Sequence, residues 1–229
     1  MLSVLALLLA TAAPQPGTLW AGHQAVHGKR EVPLLGKVET RTDSYFLAEV
    51  SRDDEGRLVL LQRTCHVEIA RAAGVKVSFL PGGTAKLPAT KVVFEERGGS
   101  LEASFRSGWG AEDADGDGAP GVTTVVDAPL CSGKLYVKSE SRTQLRGKLE
   151  GGGIAGEVRA VSDQETIEAE GACLSVMAKD ERDAVRGTFA FAPVPAGTTC
   201  ESLDPARWPV EAKERKPKEI ERTRLRRGR

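Results

Sequence analysis

The chain contains no Asn, so it offers no acceptor for N-linked glycosylation. Histidine is almost as scarce, with only His23, His27 and His66. His23 and His27 stand at i and i+4, a spacing that sets two metal ligands on one helix face. Gly22 and Gly28 flank them, however, and favour a linker. His66 follows Cys65 with no partner near it in sequence and reads as a structural imidazole. Aromatic residues make up 5% of the chain, thin for a module that stacks sugars on exposed rings. No G-x-S-x-G elbow, phosphate loop, dinucleotide fingerprint or H-E-x-x-H occurs. Groups that assemble across a fold escape such a scan, so the case for catalysis is weakened without being closed. An excess of charge of one sign is also missing. Thirty-two basic residues balance thirty-two acidic ones, which removes the long-range field of a dedicated nucleic-acid binder. Past the first residues no apolar run approaches the ~20 residues of a helical membrane span. Neither a nucleic-acid partner nor a membrane span is therefore expected.

At 229 residues and 40% hydrophobic content, one folded core is the default. The opening Met-Leu-Ser-Val-Leu-Ala-Leu-Leu-Leu-Ala-Thr-Ala-Ala is apolar and uncharged, and Ala10-Thr11-Ala12 supplies a small-x-small cleavage pattern. Residues 1–13 are read as a secretory signal peptide, which predicts a secreted or periplasmic protein. A composition rich in Ala, Gly, Val and Arg and devoid of Asn fits GC-rich codon usage and a bacterial source. Cys65, Cys131, Cys173 and Cys200 all lie in the exported part. An even number of cysteines in an oxidising compartment predicts two disulfides, with three connectivities open. None of the four is spaced C-x-x-C, which disfavours a redox motif and a thiolate zinc site.

Period-two alternation dominates from Leu34 to Phe191, the mark of half-buried strands. Val75, Val77 and Phe79 alternate with Lys76 and Ser78, and Leu101, Ala103 and Phe105 alternate with Glu102, Ser104 and Arg106. Further strands are predicted over 35–42, 45–51, 57–69, 91–95, 122–127, 134–139, 144–149, 154–161 and 166–177. Asp53-Asp54-Glu55-Gly56 and Gly151-Gly152-Gly153 separate neighbours in the manner of hairpins. Short turns of helix are expected within 68–74 and 179–184. Gly147, Gly156 and Gly187 each sit in the middle of an apolar strand face, which signals sharp coiling or a close neighbouring backbone. The fold class is all-β, an antiparallel β-barrel or β-sandwich of roughly ten strands. Residues 14–33 are assigned to a linker, 34–205 to a single β domain and 206–229 to a basic tail. From Glu211 onward nine basic residues face four Glu, and so few apolar residues remain that the tail is expected to be disordered.

One segment carries chemistry. Asp113-Ala114-Asp115-Gly116-Asp117-Gly118 puts three carboxylates on alternate residues within ~10 Å, and a hard divalent cation is the direct relief of their repulsion. The segment resembles the first half of an EF-hand loop and the aspartate-rich calcium loops of dockerin and thrombospondin type 3 repeats. The resemblance covers about a dozen residues. It implies that Asp113, Asp115 and Asp117 are side-chain ligands of calcium and that Ala119 lends its carbonyl. The bidentate Glu of the twelfth position is replaced by Thr124, so one arm of the cage is missing. Asp127 is the candidate to close it, with Glu112 on the other side. An incomplete cage places affinity near ~10⁻⁴–10⁻³ M. Trp109, between two glycines beside the loop, either packs the loop or offers a ligand platform.

These readings combine into an exported bacterial β-domain of binding or structural role with a calcium-stabilised loop. Its partner is expected to be a small ligand, a glycan or an envelope component. A secreted hydrolase using acids of the Glu112–Asp117 cluster is the alternative.

Overall fold

The computed structural model describes residues 18–32, 36–129 and 131–213. It contains ten strands in one antiparallel sheet: β1 (Leu19–Val32), β2 (Gly36–Arg52), β3 (Leu58–Ile69), β4 (Lys76–Phe79), β5 (Thr90–Arg97), β6 (Ser100–Trp109), β7 (Val122–Asp127), β8 (Gly133–Glu150), β9 (Gly153–Glu170) and β10 (Glu181–Val194). Eight of them, β1, β2, β3, β5, β6, β8, β9 and β10, close into a ring because β8 pairs with β9 and β10 pairs with β1. The sheet is thus a barrel and not a sandwich. β7 pairs with the first half of β8 outside the ring, and β4 extends that flap.

The alternation read from the sequence sets the inside and outside of the ring. Trp20, Leu60, Val92, Phe94, Leu145, Ile154, Val158 and Phe189 form one enclosed cluster with Phe46 and Phe191. Phe94 packs on Phe189 at a ring separation of 6.5 Å, and Phe189 meets Phe191 edge-on at 6.2 Å. Eight strands leave an interior just wide enough for side chains to fill. Farther along the same faces the lining turns polar. Beyond Leu145 come Thr143, Ser141 and Ser139, and Ser162 of β9 bonds both Ser139 and Ser141, at 3.2 and 2.9 Å. Outward positions carry charge, as with Lys138, Glu140, Arg142 and Arg146 on β8 and Glu157, Arg159, Asp163 and Glu165 on β9. A barrel of this polarity faces water. Turning that exterior to lipid would cost ~2–4 kcal/mol per Arg or Lys at mid-bilayer. No described helix is long and apolar enough to cross a membrane.

Several predicted strands merge. The segments expected at 35–42 and 45–51 form one strand, β2, and those at 134–139 and 144–149 form β8. Residues 181–184, expected as part of a helical turn, begin β10, and the short helix lies earlier, at Leu174–Met177. Two assignments need correction. The expected linker of residues 14–33 becomes β1 from Leu19 onward, with Trp20 1% exposed. Both faces of β1 are covered, so its residues do not alternate and the periodicity signal is lost. Trp20 and Val26 point into the ring, while Ala21, His23 and Ala25 lie under residues 208–212. For the same reason the tail does not start at 206. A 3₁₀ turn at Pro205–Arg207 leads to Trp208, whose indole donates to the Gly22 carbonyl at 2.9 Å, and Ala212 is buried. The expected signal peptide and residues 214–229 lie outside the described residues.

Gly156 and Gly147 face each other on β9 and β8. A Cβ on Gly156 would run into the Arg146 carbonyl and the Gly147 Cα, so the backbones approach more closely than any side chain permits. The Gly156→Ala variant is expected to lose about 1–3 kcal/mol of stability through overpacking, measurable as a lower urea midpoint with an unchanged slope. Cys65 joins Cys200 across 135 residues and Cys131 joins Cys173 across 42. Chain entropy alone assigns about 5 and about 4 kcal/mol to loops of these lengths. Alkylation of unfolded native material should label no cysteine before reduction and all four after it.

Candidate metal site

The three aspartates sit in the turn between β6 and β7. That turn is pinched shut at its base, where the Ala114 amide donates to the Gly121 carbonyl at 2.9 Å and the Gly121 amide donates to the Ala111 and Glu112 carbonyls at 3.1 Å. Asp113 winds the loop around its own carboxylate. Its Oδ1 accepts from the amides of Gly116 at 2.6 Å and Asp117 at 3.1 Å, and its Oδ2 accepts from Gly118 at 2.9 Å. Gly118 has φ +87°, which supplies the sharp turn that a calcium loop places at its sixth residue. Asp117 accepts from the Ala119 amide at 2.8 Å and from the Thr123 hydroxyl at 2.6 Å. One carboxylate oxygen from each of Asp113, Asp115 and Asp117 falls within 4.8 Å of the others.

Asp115 differs from the other two. It is 2% exposed, and its Oδ2 accepts from the Thr123 amide at 3.0 Å. Its Oδ1 is buried without a hydrogen-bond partner. A carboxylate left half-satisfied away from water is costly, and more so when charged. Burial accordingly pushes the Asp115 carboxyl up, with help from the charges of Asp117 and Asp113. Its neighbours go the other way. Backbone amides, Gly118 first, hold Asp113 below the usual carboxylate range, and the Thr123 hydroxyl does the same for Asp117. Lys86 reaches over the loop from the segment after β4, its Nζ 3.3 Å from the Gly116 carbonyl. Gly83 lies so close that a Cβ there would come within 3.2 Å of the Asp115 Cβ. The loop is therefore walled on that side by residues 83–86.

Trp109 is half-buried and donates from Nε1 to the Val137 carbonyl at 2.8 Å, which ties the loop to β8. Ala119 sits inside the loop. Asp127 does not join it. β7 carries Asp127 to its far end, ~16 Å along a six-residue strand, where it pairs with Arg71 at 3.5 Å.

A second polar cluster was invisible in the sequence because it depends on β1 being a strand. The ring of His23 stacks on Tyr45 at 4.8 Å, and Trp208 meets Tyr45 edge-on at 5.2 Å. The His23 Nδ1 accepts from the Ala212 amide at 2.9 Å, so the ring proton is on Nε2, which faces Asp43 Oδ1 at 3.1 Å. Arg41 completes the set with two bonds to Asp43, at 2.8 and 3.1 Å. Burial would raise the Asp43 carboxyl, but Arg41 and His23 outweigh it and hold it low. Tyr45 is pushed up to about 12 by burial and by Glu68. With both nitrogens of His23 engaged, the cluster works as a clamp for residues 208–212 and leaves no imidazole nitrogen for a substrate. His66 lies at its edge, half-exposed, 3.4 Å from Glu68.

The opposed shifts of the aspartates predict opposite pH behaviour in chelator. Asp115, whose carboxyl is raised on folding, favours the fold below its unfolded value of about 3.9, and that advantage is lost as pH rises through the folded value. The Asp115→Asn variant should therefore melt no lower than the parent at pH 7. Asp113 is lowered on folding, so its contribution is present above its unfolded value and disappears as pH falls through the folded one. Asp113→Asn should melt lower at pH 7, with the gap closing toward acid. Scanning calorimetry across pH in EDTA tests both.

No known family model and no curated protein matches the sequence. Among solved structures, the chain is similar to OccK2 (OpdF) of Pseudomonas aeruginosa at 11% identity, over 77% of this chain and 62% of that one, with a TM-score of 0.18. The chain thus spans under two thirds of that protein's length. A likeness at this level carries no argument about what the present chain does.

Proposed function

We propose that this is an exported binding protein whose β6–β7 loop takes its working shape from a calcium ion. The observation that supports the ion is the Asp115 carboxylate: it is enclosed, one of its oxygens accepts from the Thr123 amide and the other has no partner, and it belongs to a cluster of three carboxylates that repel one another. A hard cation ligated by oxygen answers both needs at once. Asp113 and Asp117 supply further carboxylate oxygens, the Ala119 carbonyl a neutral one, and water the remainder of the six to eight that calcium takes. Lys86 offsets part of the loop's negative charge when the ion is absent. Export is supported by the two disulfides, which persist in oxidising compartments, and by a charged exterior suited to water. A loop rigidified at one end of a barrel is a natural place for a ligand-binding rim.

Calorimetric titration of the disulfide-intact protein tests the ion. At about 10 mM calcium and a dissociation constant of ~10⁻⁴–10⁻³ M, linkage gives about 1.4–2.7 kcal/mol of stabilisation, or a rise in melting temperature of several degrees. Asp115→Asn should keep the parent's melting temperature in EDTA and lose the calcium-dependent rise. Absence of both binding heat and a melting shift at millimolar calcium would remove the proposal.

A further inference from the structure

The cross-strand pairs on the outside of the barrel are, for the most part, matched in charge. Lys29 stands opposite Glu39, Lys138 opposite Glu165 and Arg182 opposite Asp163, each at ion-pair distance. Where two like charges do face each other on this exterior, each meets an opposite charge: Glu95 and Glu102 are held by Arg97 and Arg146, and Glu140 and Asp163 by Arg106 and Arg182. Arg106 and Arg142 are opposed, and Glu140 bridges them at 2.9 and 3.7 Å. One pair breaks the pattern. Arg186 of β10 lies directly opposite Arg159 of β9, and neither has an ion-pair partner among the described residues. Like charges directly opposed in a sheet are destabilising, so this pair does nothing for the fold.

Both arginines line a groove of about 1240 Å³ that crosses β6, β8, β9, β10, β1 and β2. Arg142, Arg182 and Lys29 also line its walls, each beside an acid, Glu140, Asp163 and Glu39 respectively, so the uncompensated charge of the groove is that of Arg159 and Arg186. The lining also holds neutral hydrogen-bonding groups, Ser104, Thr40 and Gln144, and one ring, the imidazole of His27. Guanidinium groups recognise carboxylate and sulfate oxyanions through paired hydrogen bonds, and hydroxyl and amide groups suit a ligand rich in hydroxyls. The cations are spread over four adjacent strands, ~5 Å apart per strand, which calls for an extended ligand with repeated charges instead of a single ion.

We propose that this groove binds an acidic polysaccharide, its carboxylate or sulfate groups seated on Arg159 and Arg186. The site lies on the barrel wall and uses none of the three loop aspartates, so it stands or falls independently of the calcium proposal.

Binding is measured on the full chain by fluorescence anisotropy, with labelled oligomers of polygalacturonate and of heparin as probes and neutral dextran as the comparison. The acidic oligomers should bind, dextran should not, and affinity should fall as salt rises. The double variant R159Q/R186Q should bind at least tenfold more weakly. Its melting temperature should match or exceed the parent's, because the change removes a repulsion; a variant that binds weakly because it is misfolded would melt lower. Arg97→Gln, on a residue outside this groove, should leave affinity unchanged. The proposal is overturned if R159Q/R186Q binds as the parent does while changing Arg222, Arg224, Arg226 and Arg227 to Gln abolishes binding, which would place the polyanion on the C-terminal residues. It is equally overturned if a single-stranded oligonucleotide of matched charge binds as well as the acidic oligosaccharides.

Discussion

Closure of the sheet between β1 and β10 is the constraint on which the rest of the structure depends. An open antiparallel sheet with this alternation would leave two long unpaired edges and a half-covered apolar face. The register Trp20 to Pro193 through His27 to Arg186 removes those edges and brings Trp20, Phe189 and Phe191 into one interior. The same pairing makes β1 a strand covered on both sides, which creates the site where Trp208 and Ala212 dock. Cys65 and Cys200 fasten that docked segment to β3, so the end of the described chain is held by a covalent bond, an indole and an imidazole together.

Closure also decides what the loops and the exterior can do. With the ring satisfied, β7 and β4 are free to form a flap on β8, and the aspartate turn between β6 and β7 is pressed against residues 83–86 of the segment that follows β4. That pressure buries Asp115 and separates its electrostatics from those of Asp113 and Asp117, although the three are alike in sequence. The barrel wall, relieved of any need to pack, carries charge. Matched pairs make it an ordinary solvated surface, and the unmatched pair of Arg159 and Arg186 singles out one groove.

Much of the strand content was legible because half-buried strands alternate and these do so plainly. Val122–Asp127 has the predicted bounds, and Gly147, Gly156 and Gly187 marked places of close backbone approach. The merging of short predicted segments into β2 and β8 came from polar residues inside the ring: Ser44 in one, Ser141 and Thr143 in the other. A period-two reading takes such residues for turns. β1 escaped for the converse reason, since a strand buried on both faces has no period to detect. Within the candidate metal site the triplet of aspartates was legible from spacing alone, whereas the fate of Asp127 was not, because the length and direction of β7 carry it away from the loop.

By itself the sequence determined that pleated strands would enclose an apolar interior, that four cysteines could bridge in pairs, and that three carboxylates would crowd one turn. These are local properties, fixed by alternation, composition and spacing within a few residues. Only the tertiary structure decided that the sheet closes into a ring, which cysteine meets which, which aspartate is buried, and that two arginines nearly thirty positions apart stand face to face without an acid between them. Those outcomes depend on strand register, and register joins residues that no local pattern connects.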